Sequence, residues 1–581
     1  MIPTKASAVS TPTTSRWVFP GTAGEGDVAE LARALRVPCA AARILWNRGY
    51  RDPAHAARFL DPRLEDLHDP FLLKDMDRAV ERIRRAFSQK IEIHGDYDVD
   101  GVTSTVVLKK ALEMAGATDV AWHIPHRLND GYGLQPAAME EAAARGVRLV
   151  ISVDNGIRAE AAVRRAAEIG IEVIVTDHHL PETELPPAFA IVNPSRTDCG
   201  YPNKNLCGAG VAFKLAHAIL KGAGWPEGRL YRVLESLLKL VAIATVADIV
   251  PLTGENRIIV RHGLNGLGDA RNLGLIALLR ATGFEGKVPS ATEVGFRIAP
   301  AINASGRMES AGQAVRMFLT ADAEEAAAIA DELVALNKER QGAERAIVDE
   351  ILERCLAQPV TDDEAALVFW GEGWHRGVVG IVASRVMQRY HRPAIVLGIE
   401  DGVAQGSGRS IAAFHLLDAL ESMREIFTKF GGHAHAAGLT LPAASLETLR
   451  DRLQSCARAS LTLEDMQPTV EIDAVLELSE IDEALYEALQ RIAPFGMDNP
   501  RPHFAVRGAQ LAGPPQVWKE KHMKLALKQG TRSLLMKGFG MGERAGEWQA
   551  GDTVDAAFEI ERDLYFGGLS LILRDARHSL S

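Results

Sequence analysis

From Lys90 onward, short apolar runs alternate with amphipathic stretches, the pattern of βαβ units wound around a parallel sheet. Residues 91–94 form a predicted strand that runs into the loop Gly95-Asp96-Tyr97-Asp98-Val99-Asp100-Gly101, and 103–115 then repeats apolar residues at helical spacing. A second strand over 147–153 ends at Asp154-Asn155-Gly156. A helix over 159–169 is closed by Gly170, a residue suited to ending helices. A third strand over 171–176 ends at Asp177-His178-His179, and a longer helix near 231–245 ends just before Asp248.

The second half has a different texture. Residues 321–356 are dense in Ala, Glu, Leu and Arg with few breakers and predict one long connector helix. Gly-rich turns follow, and from Gln467 onward alternations such as Lys524-Leu525-Ala526-Leu527-Lys528 and Asp555-Ala556-Ala557-Phe558-Glu559-Ile560 predict a small β-barrel. The expected fold class is therefore α/β and multidomain. A parallel-sheet domain is joined by the long helix to a second α/β domain, with a C-terminal β-barrel. The expected division is a disordered lead at 1–16, a helical segment at 17–75 and the parallel-sheet domain at 76–320. The connector follows at 321–357, the second α/β domain at 358–460 and the barrel at 461–581.

In open α/β sheets the C-terminal strand ends are where ligands bind, so loops distant in sequence converge on one crevice. His94, Asp98, Asp100, Asp154, His178 and Asp248 are thus expected to meet. Carboxylate oxygen and imidazole nitrogen without thiolate suit manganese or magnesium better than structural zinc. Four aspartates match the charge of two divalent ions, whereas one ion would leave two carboxylates uncompensated. The stretch Asp96-Tyr97-Asp98-Val99-Asp100-Gly101 also matches the start of an EF-hand loop, but the twelfth place, which needs Glu, holds Val107.

Length and composition narrow the picture further. A chain of 581 residues exceeds one hydrophobic core, which agrees with several domains. No run approaches a membrane span, and the Ser-, Thr- and Pro-rich start lacks the apolar centre of a signal peptide, so the expected compartment is the cytoplasm. Cys39, Cys199, Cys207, Cys355 and Cys456 are scattered, as expected of free thiols. A net charge of −11 disfavours nucleic-acid binding over the whole surface while leaving room for a local basic groove.

The segments His94-x-x-x-Asp98-x-Asp100, Asp154-Asn155-Gly156, Asp177-His178-His179 and Val246-Ala247-Asp248 together resemble the DHH phosphoesterase family. The resemblance implies one metal held by His94, Asp98 and Asp154, and a second held by Asp100, Asp154, His178 and Asp248. Asp154 would bridge the two. It implies that His179 faces the scissile phosphate and that Asp96 and Asp177 support these residues from behind.

Further along, Asn303-Ala304-Ser305-Gly306-Arg307, Ser407-Gly408-Arg409-Ser410 and Gly431-Gly432-His433-Ala434-His435 resemble the companion DHHA1 domain. Such turns can merely connect elements. Paired with Arg or His they can also cradle phosphate, which gives Asn303, Arg307, Ser407, Arg409, Gly432 and His433 as candidate DNA contacts. The stretch from Trp374 through His375 to Ile381 is similar to the RecJ branch of the family and opens a helix whose N-terminus suits an anion.

On the connector, Asn337 and Arg340 are expected on a solvated helix face, and the resemblance adds the nucleic-acid path as a second use. The stretch Pro494 to Pro500 resembles the entry to the C-terminal domain of RecJ proteins, an OB-fold. There Trp518, Lys519, Lys521, His522, Lys524 and Phe539 are open to two uses, barrel core or base stacking beside basic groups.

The resemblance implies an exonuclease that uses two Mn2+ or Mg2+ ions to hydrolyse single-stranded DNA from 5′ to 3′, releasing 5′-mononucleotides in DNA repair and recombination. It implies a single-strand-binding protein and a RecQ-type helicase as partners; apart from the resemblance, the lack of a long apolar run gives the expectation of no membrane association, and a monomer is the default expectation. Two alternatives are a phosphodiesterase for small substrates (nanoRNA or cyclic dinucleotides) and a non-catalytic single-strand-binding scaffold.

Overall fold

The computed structural model describes residues 15–21, 24–125, 133–308, 311–563 and 567–579, without the side chains of residues 307 and 308. The lead expected at 1–16 lies outside them through residue 14, and so does the side chain of Arg307. The chain divides into two compact units. One comprises residues 54–338 with 490–501; the other comprises the residues up to 53, 339–489 and those from 502 onward.

The first unit is built on a five-stranded, wholly parallel sheet in the order Asp119–His123, Lys90–His94, Leu149–Val153, Glu172–Thr176, Ala190–Val192. Both faces are covered, which is why its inner strands read as continuous apolar runs. Leu149, Ile151, Val153 and Ile174 join one core with the helices Val99–Ala115, Gly208–Gly222 and Glu227–Ala247. Val150, Val173 and Val175 join a second core with Met139, Val163 and Ala166 on the opposite face. The three inner strands are those the apolar runs predict. The two edge strands are additional: Asp119–His123 mixes polar and apolar residues, and Ala190–Val192 has only three residues.

Packing around the sheet is tight enough to bury ion pairs. Lys214, enclosed on the helix Gly208–Gly222, donates to Glu255 Oε1 at 2.8 Å, and Tyr201 Oη donates to Glu255 Oε2 at 2.7 Å. Arg257, also buried, donates to the carbonyls of Phe59, Arg491, Ile492 and Ala493, which fastens residues 490–501 onto this unit.

The second unit contains a five-stranded mixed sheet in the order Lys429–His433, Ala436–Pro442, Val403–Arg409, Ala394–Glu400, Leu367–Glu372, antiparallel except for its last pair. It also contains a closed barrel. Phe504–Leu511, Thr553–Arg562, Leu569–His578, Arg532–Gly538 and His522–Gln529 pair in sequence, and the last pairs back with the first. This is the arrangement of an OB-fold. Trp17 lies on the strand Arg16–Val18, which pairs with Thr469–Glu471, and its indole donates to Asp575 at 2.8 Å. Partners so remote in sequence leave no local pattern.

The connector is a single helix, Ala323–Ala357, within two residues of its expected limits. The solvated face expected for Asn337 and Arg340 is not what forms: each is only 8% exposed. Arg340 donates to Glu344 one turn on at 3.0 Å, and this i,i+4 partner allows the charge to be buried. Among the described residues no helix is long and apolar enough to cross a membrane.

Candidate active site

The polar loops at the strand ends are shaped by backbone amides. Asp98 caps the helix Val99–Ala115, accepting from Asp100 N at 2.9 Å and Gly101 N at 3.1 Å. Asp100, on that helix's first turn, turns both carboxylate oxygens to the start of another helix, accepting from Gly208 N at 2.6 Å and Ala209 N at 2.7 Å. Positive helix N-termini thus hold two adjacent acids in place. Gly208 has a second reason to be glycine, since a Cβ there would stand 2.6 Å from Asp154 Oδ1.

Asp154 follows its strand in the left-handed region at φ 62°, a conformation that non-glycine residues rarely adopt and that recurs at functional sites. Asn155 braces this turn, donating to the carbonyls of Val153 at 3.0 Å and His94 at 3.3 Å.

Asp177 organises the two histidines. Its Oδ1 accepts from His178 N at 2.7 Å, from His179 N at 3.1 Å and from His179 Nδ1 at 2.7 Å, while Oδ2 accepts from Ile157 N at 2.9 Å. From the other side, Ser195 Oγ donates to His178 O and Asn193 Nδ2 donates to His179 O, each at 2.9 Å. Sequence reasoning missed Gly208, Ala209, Asn193 and Ser195. The only signal for the first pair was the glycine-bracketed helix start Cys207-Gly208-Ala209-Gly210.

These elements bring Asp98, Asp100, Asp154, His178, His179 and Asp248 together. His178 Nε2 lies 3.3 Å from Asp154 Oδ1 and 3.8 Å from both Asp100 Oδ2 and Asp248 Oδ2. Among the described residues, three sets offer ligand atoms within 4.8 Å of one another: Asp154, His178 and His179; Asp100, His178 and Asp248; Asp96, Asp98 and Asp154. Asp96, Asp98, Asp154, His178, His179 and Asp248 border a cavity of about 320 Å3 that Tyr97, Ala247, Asn303 and Gly306 also line. Asn303 Oδ1 accepts from Val99 N at 3.0 Å.

The electrostatics are those of a site built for cations. Burial pushes the Asp154 carboxyl well above its usual range, and the charges of Asp100 and Asp98 add to the effect. Burial and Asp100 raise Asp98 as well, and burial with Asp100 and Asp98 lifts Asp248 to about 8. Asp154 Oδ1 is buried and accepts no hydrogen bond among the described residues. Asp177 behaves oppositely: burial works against its charged form, but the His179 contacts and backbone amides hold it low. Burial depresses His178, whereas at His179 the bond to Asp177 overrides burial and raises the imidazole.

His94 is engaged elsewhere. Its Nε2 lies 2.8 Å from Glu92 Oε1, its ring stacks on His123 at 4.9 Å, and it belongs to none of the three converging sets. Arg145 donates to both Glu92 oxygens, at 2.8 and 3.2 Å. Although burial opposes it, this pairing with His94 and Arg145 brings Glu92 down to about 2.

In the second unit, Ser407 and Arg409 lie on one strand against the first turn of the helix Val379–Tyr390. A Cβ on Gly380 would stand 3.2 Å from Ser407 Oγ and 3.4 Å from Arg409 Nη2. Register puts Arg409, Ala436 and His433 in one cross-strand row. Gly432, at φ 154°, leaves no room for a side chain, because a Cβ would meet Ala436 O at 2.2 Å. Burial lowers the Arg409 guanidinium, and its Nη1 donates to the Gly408 carbonyl at 2.8 Å. His375 Nδ1 accepts from Gly377 N at 3.1 Å just before that helix.

On the barrel, Trp518, His522 and Phe539 form a three-ring cluster with centroids 4.9 to 5.8 Å apart, and Lys524 stands 5.3 Å from the Trp518 ring. Phe539 is 56% exposed, so the cluster lies outside the barrel core. Lys519 turns at φ 49°, and Lys521 is exposed beside it.

Comparison with known proteins agrees with this anatomy. The DHH family, N-terminal domain, matches residues 90–245, the DHHA1 domain 362–459 and the RecJ OB domain 472–575. The chain is 43% identical over 524 residues to the single-stranded-DNA-specific exonuclease RecJ of Bacillus subtilis, covering 89% of this chain and 65% of that protein's length. It is 36% identical over 555 residues to the RecJ of Dickeya dadantii, covering 92% of this chain and 95% of that one. The crystal structure of Thermus thermophilus RecJ in complex with Mn2+ superposes at a TM-score of 0.82 and 31% identity, over 97% of this chain and 80% of that one. The Mg2+ complex of the same protein gives 0.75 at 29% identity, over 97% of this chain and 79% of that one. With its three domain matches in order and such identity along almost the whole of a relative's length, the chain belongs to the RecJ family of DHH proteins.

Proposed function

We propose that this protein is a divalent-metal-dependent exonuclease that hydrolyses single-stranded DNA from the 5′ end to 5′-mononucleotides. The observation that carries the reading is the gathering of Asp98, Asp154, His178, His179 and Asp248 on one cavity, with Asp100 Oδ2 3.8 Å from His178 Nε2 and with Asp154 Oδ1 buried and accepting no hydrogen bond among the described residues. All the donors are oxygen or imidazole nitrogen, and burial with mutual repulsion raises three of the carboxylates, a charge imbalance that bound cations would relieve, so the site fits manganese or magnesium.

Two ions would be held by Asp98, Asp100, Asp154, His178 and Asp248, with Asp154 shared. His94 would join through a change of its contact with Glu92. Bound there, the ions would supply a hydroxide near neutral pH and neutralise charge at the phosphate. The chain's own residues do the rest. His179, whose imidazole the bond to Asp177 raises against burial, would in its protonated form donate to a non-bridging phosphate oxygen as charge builds. Asp177 orients both imidazoles, and Asp96 supports the loop ahead of Asp98. Asn303 steadies the Asp98 turn through Val99 N.

Ser407, Arg409, Gly432 and His433, with Arg307, are proposed to hold backbone phosphates, His375 to assist them, and Asn337 and Arg340 to shape the path. Trp518 with Lys519, Lys521, His522, Lys524 and Phe539 is proposed to stack bases beside basic groups. The helical segment, parallel-sheet domain, connector and second α/β domain are proposed at 17–75, 76–320, 321–357 and 358–460, with the barrel after them and residues 490–501 belonging with the first unit. Also proposed are the cytoplasmic setting, the monomeric state, the role in repair and recombination, and partnership with a single-strand-binding protein and a RecQ-type helicase. The closed barrel and its RecJ OB match disfavour a small-substrate enzyme.

The test is nucleotide release from an end-labelled single strand, with manganese or with chelator, beside a blunt duplex and a dinucleotide. Metal-dependent release from the 5′ end with the duplex spared is expected. Cleavage of the dinucleotide alone would transfer the protein to the small-substrate class, and binding without cleavage would make it a scaffold.

A further inference from the structure

His179 borders two cavities. One is the acidic cavity of the candidate active site; the other, of about 290 Å3, is bordered by Asp177 as well. The second cavity lies where two helices begin, Pro136–Ala144 and Glu160–Glu168. Leu134 and Pro136 line it at the first start, and Ala159, Ala161 and Ala162 line it at the second. Leu134 and Ala162 also belong to the core of Met139, Val163 and Ala166, so the cavity rests on a packed apolar layer.

Small residues keep the space open. Gly156, which lines it, is held at φ 109°, and a Cβ there would meet Ser152 Oγ at 2.5 Å, so the turn after Asp154 admits no side chain at this point. Ala159 stands at the N-cap of its helix, a place that favours Ser, Thr, Asp or Asn. A stabilising side chain is thus forgone beside the cavity. Arg158 lines it too, and its Nε donates to Leu180 O at 3.0 Å, which ties the guanidinium to the segment that carries His179.

We infer that this second cavity receives the nucleoside at the 5′ end of the strand, the one that leaves when its 3′ phosphate is cut. His179 is the link. In the proposed reaction it donates to that phosphate, and because it borders both cavities, a group joined to the phosphate meets the mouth of the second. The walls of Leu134, Pro136 and three alanines suit the faces of a base and a sugar ring, and the planar guanidinium of Arg158 suits stacking on the base. A volume of about 290 Å3 is just under the usual range of small-molecule sites and fits one nucleoside rather than a continuing strand. Of the two nucleosides that the phosphate joins, the terminal one is the one without a further strand to lead away. The inference rests on the proposed exonuclease reading and deepens it.

The experiment measures kcat/KM for the first cut, with manganese, on three 3′-labelled single strands. One is unmodified, one has a stable abasic residue at the 5′ end, and one has it at the second position. The abasic end is expected to lower the value at least about tenfold, the least that a missing group costs in an apolar pocket, and the second-position change to matter far less. Ala161→Leu fills the cavity at an exposed helix position where leucine is well tolerated. In this variant the ratio between the unmodified strand and the abasic end should fall toward one, with Tm unchanged. Calorimetry with manganese gives a second readout: a nucleoside 3′-monophosphate should bind more tightly than inorganic phosphate, and should lose that advantage in Ala161→Leu. Equal cutting of the unmodified and abasic-end strands would overturn the inference and leave the exonuclease reading intact. A loss confined to the second-position strand would give the cavity to the following nucleotide and overturn it too. Equal affinity for the two phosphates, or an Ala161→Leu variant that keeps the ratio, would do the same. A fall in Tm with equal loss on all strands would mark the cavity as a packing gap. If the unmodified protein digested no strand with metal, the exonuclease reading would fall and the inference with it.

Discussion

The Asp100 carboxylate accepts the amide of Gly208 at 2.6 Å, joining the first turn of one helix to the first turn of another across 108 positions of sequence. The adjacent amide of Ala209 takes its other oxygen at 2.7 Å. A carboxylate fixed in this way cannot swing to suit a cation, so the position an ion would take beside it would be set by the packing of two helices on the sheet rather than by a flexible loop. Gly208 also faces Asp154, and the same residue therefore positions one acid by its amide and makes room for another by lacking a side chain.

Gly208→Ala tests this double role. Its methyl carbon would lie 2.5 to 2.7 Å from three atoms of the Asp154 side chain, closer than van der Waals contact allows. The helix itself gains from alanine. The expected outcome is a folded protein with an unchanged far-ultraviolet circular dichroism spectrum, and metal-dependent hydrolysis lowered about 100-fold, in the range seen when groups supporting metal ligands are disturbed. Activity within threefold of the unmodified protein would mean that Asp154 is not constrained by this contact.

Much of the site could be read from the sequence because strand ends announce themselves. The apolar runs at 91–94, 147–153 and 171–176 stop at acids and histidines, and a parallel sheet gathers such ends at one edge. What could not be read is carried by groups without a pattern. The amides of Gly208 and Ala209 belong to every sequence, and the bracing hydrogen bonds of Asn193 and Ser195 depend on a strand of only three residues. Arg340 looked solvated because a charged residue on a helix usually is, and its buried Glu344 partner reverses that. Asp98 and Asp248 were legible as cavity residues, whereas the Glu92 contact of His94 depends on the side-chain geometry at the end of its strand.

Metal binding should be linked to protons. In the metal-free protein, Asp154, Asp98 and Asp248 keep protons that the unfolded chain releases near pH 4, and Asp248 keeps its proton to about pH 8. The folded state therefore binds more protons than the unfolded state across pH 4 to 8, and its stability in chelator falls as pH rises through that window. The upper limit is about 1.4 kcal/mol per pH unit for each group. Ions that displace these protons remove the penalty and bind more tightly at higher pH. Thermal melts at pH 5.5 and 8 should show a manganese-induced rise in Tm that is larger at pH 8. A rise independent of pH would contradict the raised carboxylates.

Asp177→Asn should separate orientation from charge. The amide oxygen can still accept from His179 Nδ1, but the charge that raises the imidazole is lost. A loss of about 10- to 100-fold in kcat/KM is expected. If protonated His179 donates to the phosphate, activity declines as pH rises through its pKa, and in the variant that decline should begin at lower pH. A pH–rate profile that is lowered but not shifted would assign Asp177 a purely geometric part.

Arg409→Ala should act on substrate binding rather than on the chemical step. The guanidinium is half-buried beside Ser407 and the start of the helix Val379–Tyr390, and burial lowers its pKa. An anion in contact with it would recover the cost of that burial, which is how an arginine waiting for phosphate differs from one in a structural salt bridge. Its removal is expected to raise KM for oligonucleotides about tenfold or more, the loss of a charge-assisted hydrogen bond of about 1.5–3 kcal/mol, with kcat changed far less. Arg409→Lys keeps the charge but not the planar fork and should recover only part of the loss. The salt dependence of KM provides the second reading: neutralising one phosphate fewer should flatten its slope. If KM, kcat and the salt slope were all unchanged in the alanine variant while Tm fell, Arg409 would be a packing residue and the strand would have to be held by other groups.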